Sequence, residues 1–282
     1  MKFVLLLILL ISLNINADES RKKIVWYAYD QPPAYIVSGE FANKGFINQA
    51  LKLLTEAMPN YHHSYEHHSL DRVINALKTD RKVCFFGLFS TEERREFAYF
   101  SDYSLMHNNL QVLIPLKTAK RLSLANSVDV SALFNEYKLT VGIIGKRSYG
   151  DFIDTILKQH KNLTFIRTSS STKHLFKMLD HGRFDFMISY PSAINFAMTS
   201  ILLNQEYTFL TIEGVPAFIS GHIACSKTDW GKRIITEINE VLPKVKNTTE
   251  YLEALSYWIK NNDNFEAYKA YYYNDFLKPP VN

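Results

Sequence analysis

The run from Val83 to Phe89, and the abrupt change of character after it, most restricts what this chain can fold into. The run is bounded by Arg81-Lys82 and Ser90. It is too short for a helix and too apolar for a surface, so it reads as a strand buried on both faces, as in a parallel sheet. Polar residues return at Ser90-Thr91, and Ser90 with Glu93 has capping-box spacing, which starts a helix where the strand ends. Gly87 sits near the carboxyl end of the strand, where a missing side chain lets a ligand reach the backbone. Ligands of open α/β sheets bind just outside those ends. Arg94 falls in the first turn beyond, with a planar fork suited to a carboxylate. The stretch Glu92 to Arg95 fits a solvated helix face equally well, so pattern alone leaves two readings of Arg94.

Strand-like and helix-like patterns alternate along the rest of the chain, which argues for parallel α/β sheets. Lys23 to Ala28 reads as a first strand, broken by Asp30-Gln31-Pro32-Pro33. Phe46 to Ala57 and Leu70 to Leu77 carry apolar residues at helical spacing. Leu110 to Pro115, Leu139 to Ile144 and Leu163 to Arg167 read as strands, and Thr172 to Leu179 as a helix. Gly145-Lys146-Arg147-Ser148-Tyr149-Gly150 is a glycine-bounded loop between strand and helix, with backbone N–H groups free for an anion. It lacks the spacing of a phosphate-binding loop.

At the start, Met1 to Ala17 has a lysine at position 2, an apolar run from Phe3 to Leu13 and a small residue, Ala17. That is the organisation of a secretory signal, too short to serve as a stable anchor. No cysteine lies near the cleavage point, so a lipoprotein is not expected. About 265 residues would remain, enough for two lobes. A net charge of +4 in a chain that is 21% charged is too small and too evenly spread to point to nucleic acid.

His62, His63, His67 and His68 invite a metal reading. On a strand, however, His63 and His67 share one face while His62 and His68 lie on the other, so the cluster does not converge. A solvated edge strand is the expectation, with no metal and no cofactor. Cys84 and Cys225 have no CxxC spacing. In an exported chain an even count favours a disulfide, while two buried free thiols would fit the same sequence.

Thr91-Glu92-Glu93-Arg94, followed by Phe100-Ser101-Asp102 and an aromatic, resembles the signature of the family 3 extracellular solute-binding proteins. The resemblance implies the two-lobed, type II periplasmic-binding-protein fold, each lobe a mixed, mainly parallel sheet flanked by helices. It implies lobe one at residues 18–103 and 220–282, and lobe two at residues 104–219 with both hinge crossovers, the first near Ser104 to Asn109. The family proline before Tyr103 is missing.

Residue by residue, the resemblance makes Arg94 the carboxylate clamp, beside Thr91, and sets Tyr29 and Tyr35 on the first ligand loop. Phe86, Gly87 and Phe89 would line the pocket around the strand end. From lobe two, Lys146 to Ser148 match the loop that meets the carboxylate, with Ser148 and Tyr149 as the expected contacts. His181 to Ile188 resembles the family's Gly-x-Val-Asp-Ala element, with Asp185 as its structural aspartate. Tyr190 then stands where amino-acid receptors carry the acidic residue that accepts the ligand ammonium, unless a slip of register gives that role to another residue such as Glu213. A phenol brings no charge there, so an anionic group on an apolar or ring-like body is expected instead of a free α-amino acid. His222 to Cys225 resembles the strand re-entering lobe one, which would set Cys225 beside Cys84. Tyr251 and Trp258 match the closing aromatic pair, and the aromatic tail from Tyr268 to Leu277 would pack on lobe one. The function implied is that of a monomeric periplasmic protein, not an enzyme, which captures a small molecule for an ABC transporter permease. A sensor handing its liganded form to a membrane signalling partner, or an exported dehydratase-like enzyme, are the alternatives.

Overall fold

Alternating strands and helices build two separate sheets, as a computed structural model of the chain describes for residues 22–145, 147–167, 171–198, 201–259 and 265–278. The expected signal segment and Lys146 lie outside the described residues. In chain order the elements are β1 (Lys22–Ala28), α1 (Phe46–Glu56), β2 (Tyr61–His67), α2 (Leu70–Leu77), β3 (Val83–Leu88), α3 (Glu92–Arg95) and β4 (Ala98–Asn108). The second lobe follows with β5 (Gln111–Pro115), α4 (Leu116–Arg121), β6 (Ser127–Val128), α5 (Val130–Asn135), β7 (Val141–Ile144) and α6 (Asp151–Gln159). It continues with β8 (Thr164–Arg167), α7 (Thr172–Asp180), β9 (Phe186–Ser189), α8 (Pro191–Met198) and β10 (Tyr207–Ile212). The chain then returns to lobe one through β11 (Phe218–Ser226), α9 (Asp229–Lys246), α10 (Thr249–Ser256) and α11 (Phe265–Tyr271).

Lobe one has the strand order β2-β1-β3-β11-β4, and lobe two β6-β10-β5-β9-β7-β8. In the first sheet β1 runs parallel to β2 and β3, while β11 is antiparallel to β3 and β4. In the second, β7 is parallel to β8 and β9, and β5 is antiparallel to β9 and β10. Helices cover both faces of the second sheet, and its central strands are apolar throughout for that reason. Val112 and Ile114 of β5 enter one core with Val130, Phe134 and Ile153, whereas Leu113 enters the other with Leu175, Phe176 and Ile194. Lobe one closes over a single core that takes in Trp26, Phe85, Phe86 and Tyr251. The aromatic tail belongs to it: Tyr268, Tyr272 and Phe276 are buried there.

β4 stays paired with β11 as far as Asn108 opposite Phe218, so the lobe-one sheet runs past Tyr103 and begins its return before Ser220. The first crossover is therefore the short link at Asn109-Leu110, between β4 and β5. Asn109 ties the two crossovers together, its backbone N–H donating to Ala217 O at 2.8 Å and its side-chain Nδ2 to Pro216 O at 2.7 Å. Tyrosines from the C-terminal helices brace β4 just before this point, Tyr251 donating to Ser104 O and Tyr268 to Met106 O.

One local reading is corrected. The helix after β3 is capped by Thr91, whose side chain accepts from Arg94 N, and it is only four residues long. Ser90 instead faces His222, and Arg95 Nη2 donates to its hydroxyl. The histidine-rich segment does form the edge strand β2. There His63 Nδ1 accepts from the Trp26 indole, and no group of His, Cys, Asp and Glu among the described residues could hold a metal ion. Cys84 and Cys225 stand directly opposite one another on β3 and β11 and are joined as a disulfide.

Candidate functional site

The strand ends that face each other across the lobes enclose a cavity of about 60 Å³. By volume it holds a few water molecules or one small ligand. From lobe one come Tyr29, just past β1, the Gln31-Pro32-Pro33 turn, Phe85, Gly87 and Phe89 from the end of β3, and Arg94. From lobe two come Arg147 and Ser148 after β7, and Tyr190 after β9. Both sets lie at carboxyl ends of strands, where the α/β rule puts a ligand. Pro191 starts α8 at once after Tyr190; its fixed φ suits a first helical position and holds the tyrosine at the sheet edge. Gly87 has φ +99°, and a Cβ there would stand 2.8 Å from Ile47 Cδ1, so the glycine keeps both the backbone bend and the cavity floor.

Arg94 is 8% exposed. Its Nη1 donates to Phe89 O at 3.3 Å, which turns the fork toward the strand end. Burial pulls its pKa down, and Asp154 opposes the shift; a guanidinium stays charged in any case. Arg147 is the other cation. Its guanidinium lies over the rings of Tyr190, at 4.8 Å, and Tyr149, at 5.4 Å, and bonds to the Tyr190 hydroxyl. Burial works against its charge, and the surrounding tyrosines outweigh it.

Among the described residues no aspartate or glutamate lines the cavity. The phenols do not supply the missing negative charge: burial raises the pKa of Tyr29, and pushes Tyr190 up to about 12. His107 lies against Tyr190, ring centroids 4.2 Å apart. Its Nδ1 faces Asn108 O at 2.8 Å and so carries the proton, leaving Nε2 as an acceptor. Burial lowers its pKa to about 4, so the ring is neutral at physiological pH.

The cavity thus gathers six of the expected residues: Tyr29, Gly87, Phe89, Arg94, Ser148 and Tyr190. Four others lie elsewhere. Phe86 points into the lobe-one core beside Ile223, and Phe85, one residue earlier, takes the cavity face. Tyr35 is buried behind the cavity against Phe85. Thr91 and Tyr149 line a wider outer groove of about 900 Å³ that Arg94, Arg147 and Ser148 also border. The hydroxyls expected to meet the ligand serve the loop itself: Ser148 donates to Asp154 at 2.6 Å, and Tyr149 accepts from Ile144 N at 2.8 Å. Asp154 also accepts from Tyr149 N, so α6 fixes the loop's shape. Asp185 accepts from both the N–H and the hydroxyl of Thr140, a structural role. Glu213 is exposed and is not among the residues that line the cavity. Sequence reasoning missed Arg147, His107 and Phe85. Arg147 had a signal, a cation inside the anion-friendly loop, that was given to its neighbours.

No family model and no curated protein matches the sequence. Solved structures do match its fold. A histidine kinase sensor domain with similarity to periplasmic binding proteins superposes with a TM-score of 0.67 at 14% identity, covering 86% of this chain and 98% of that one. A putative L-cystine ABC transporter protein from Listeria monocytogenes gives 0.65 at 15% identity, over 84% and 95% of the two chains. An ancestral amino acid-binding protein, a precursor of cyclohexadienyl dehydratase, gives 0.62 at 17% identity, over 86% and 96%. The chain has the two-lobed periplasmic-binding-protein fold that these structures share. No helix among the described residues is long and apolar enough to cross a membrane.

Proposed function

We propose that this chain is an exported solute-binding protein, released into the periplasm after Ala17, that closes its lobes on a small anion and presents it to an ABC transporter. The observation that carries the reading is the cavity lining: the guanidiniums of buried Arg94 and half-buried Arg147, with no aspartate or glutamate among the described residues that line it. Closing apolar walls around two guanidiniums is costly unless an anion enters with them. An anchored ammonium would find no counter-charge at Tyr190 and repulsion from both arginines. Binding is favoured over catalysis because the one imidazole among the described lining residues, His107, is a weak base, held low by burial. Service to a membrane sensor is the second reading, supported by the likeness to a kinase sensor domain.

Calorimetry on the mature chain, after a thermal-shift screen of carboxylates, amino acids and sugars, tests the proposal. Arg94→Ala is expected to weaken the best anion by roughly thirtyfold to several-thousandfold, since removing one partner of a desolvated charge pair costs about 2–5 kcal/mol. Tight binding of a neutral sugar or of a simple amino acid through its ammonium, indifferent to Arg94, would refute it.

A further inference from the structure

We infer that Arg147 is a second anion anchor, and that the ligand is a compact dianion, a short dicarboxylate held between Arg94 of lobe one and Arg147 of lobe two. The inference rests on the anion-binding reading above and narrows its substrate class.

Arg147 is built in as a binding group. It sits at the carboxyl end of β7, on a loop whose shape Asp154 fixes from outside. Its guanidinium is sandwiched by tyrosine faces and bonded to the Tyr190 hydroxyl, so its position is set before any ligand arrives. Yet Nη2 is buried and has no hydrogen-bond partner among the described residues. A buried unsatisfied donor costs about 1–3 kcal/mol, more for a charged group, and an acceptor from water or a ligand removes that cost.

The charges around the two arginines are unequal. Asp154 and Glu93 act on Arg94, whereas the side chains that raise Arg147 are all tyrosines. Tyrosine faces hold a cation in place, but neutral phenols do not cancel its charge. One carboxylate at Arg94 therefore leaves half-buried Arg147, with its buried Nη2, uncompensated, and a second anionic group removes that deficit. The two cations come from opposite lobes, so a ligand with two acidic ends bridges the cleft, and each end favours closure. Phe85, Phe89 and Ile47 offer apolar contact to a short carbon body between the ends. The small cavity excludes a long one.

Calorimetry of the mature chain with malonate, succinate and glutarate, against propionate, butyrate, sulfate and phosphate, tests this. At least one dicarboxylate is expected to bind tenfold or more tighter than the monoacid of equal length. Arg147→Gln is expected to remove that preference, weakening the dicarboxylate by thirtyfold or more and at least tenfold more than it weakens the monoacid. Arg147→Lys, which keeps the charge but loses the fork, is expected to fall between. Circular dichroism and urea unfolding confirm that both variants fold, and the wild-type ratio of diacid to monoacid decides the matter without any variant. Equal binding of diacid and monoacid, both dependent on Arg94, overturns the inference and leaves the anion-binding function standing. Failure of every diacid to bind, tighter binding of sulfate or phosphate than of any diacid, or an unchanged diacid affinity in Arg147→Gln also overturns it.

Discussion

His107 illustrates how a single residue's surroundings determine its behaviour. It stands near the end of β4, beside Tyr190 and within reach of the Arg147 charge, and burial with that neighbouring cation holds its pKa at about 4. In the unfolded chain a histidine titrates near 6.5. The unfolded state therefore binds more protons than the native state between those values, and stability must fall as the pH drops from about 6.5 to about 4. Urea unfolding across that range is expected to show the loss, and His107→Gln to flatten the slope. NMR titration of the His107 ring should find it neutral at pH 6; a protonated ring there would contradict the placement. Phe85 and Phe86 make a different point at the same scale. Their order in sequence is plain, but which one faces the cavity depends on strand phase, and a slip of one residue exchanges the faces.

At the scale of elements, the pairing of β3 with β11 holds lobe one together across the whole of the inserted second lobe. β3 comes before the second lobe and β11 after it, so every residue of lobe two is inserted between them. The Cys84–Cys225 disulfide spans a separation of 141 residues and staples the two strands at opposed positions. Reduction is expected to destabilise the protein by about 2–5 kcal/mol. Thermal unfolding with and without reductant measures it, and mass mapping without reductant should find neither thiol free to alkylate. The family pattern gave good reason to set these strands side by side. The extent of β4 was harder to foresee, because a hinge strand leaves one sheet where backbone pairing stops, and nothing in Ser104 to Asn109 marks that point.

The whole molecule closes through contacts that no single element contains. Phe41, on the loop before α1, and Trp258, after α10, meet Phe196 of α8 from the other lobe, with ring centroids 5.2 to 6.2 Å apart. The Trp258 indole also donates to Lys44 O, fixing it to lobe one. These rings join the two lobes away from the cavity lining. An aromatic pair is worth about 0.5–1.5 kcal/mol beyond its area, so Trp258→Ala is expected to weaken ligand binding by roughly three- to tenfold. Small-angle scattering should show the variant's radius of gyration rise toward that of an open form; an unchanged radius and affinity would show that these rings contribute nothing to closure.

Local sequence determined the element pattern. The Val83 to Phe89 run became β3, Leu70 to Leu77 became α2, and the Cys84 strand ended beside a buried arginine, because burial periodicity and capping act over a few residues. Only the tertiary structure decided which side chains share the cavity. Arg147 reads in sequence as one more loop cation, and its meaning depends on Tyr149, on Tyr190 some forty positions away, and on Arg94 in the other lobe. Electrostatic consequence follows distance and burial, not order along the chain. A charge that would be screened to little on a surface gains, between facing strand ends, the strength that the proposed role in ligand selection needs.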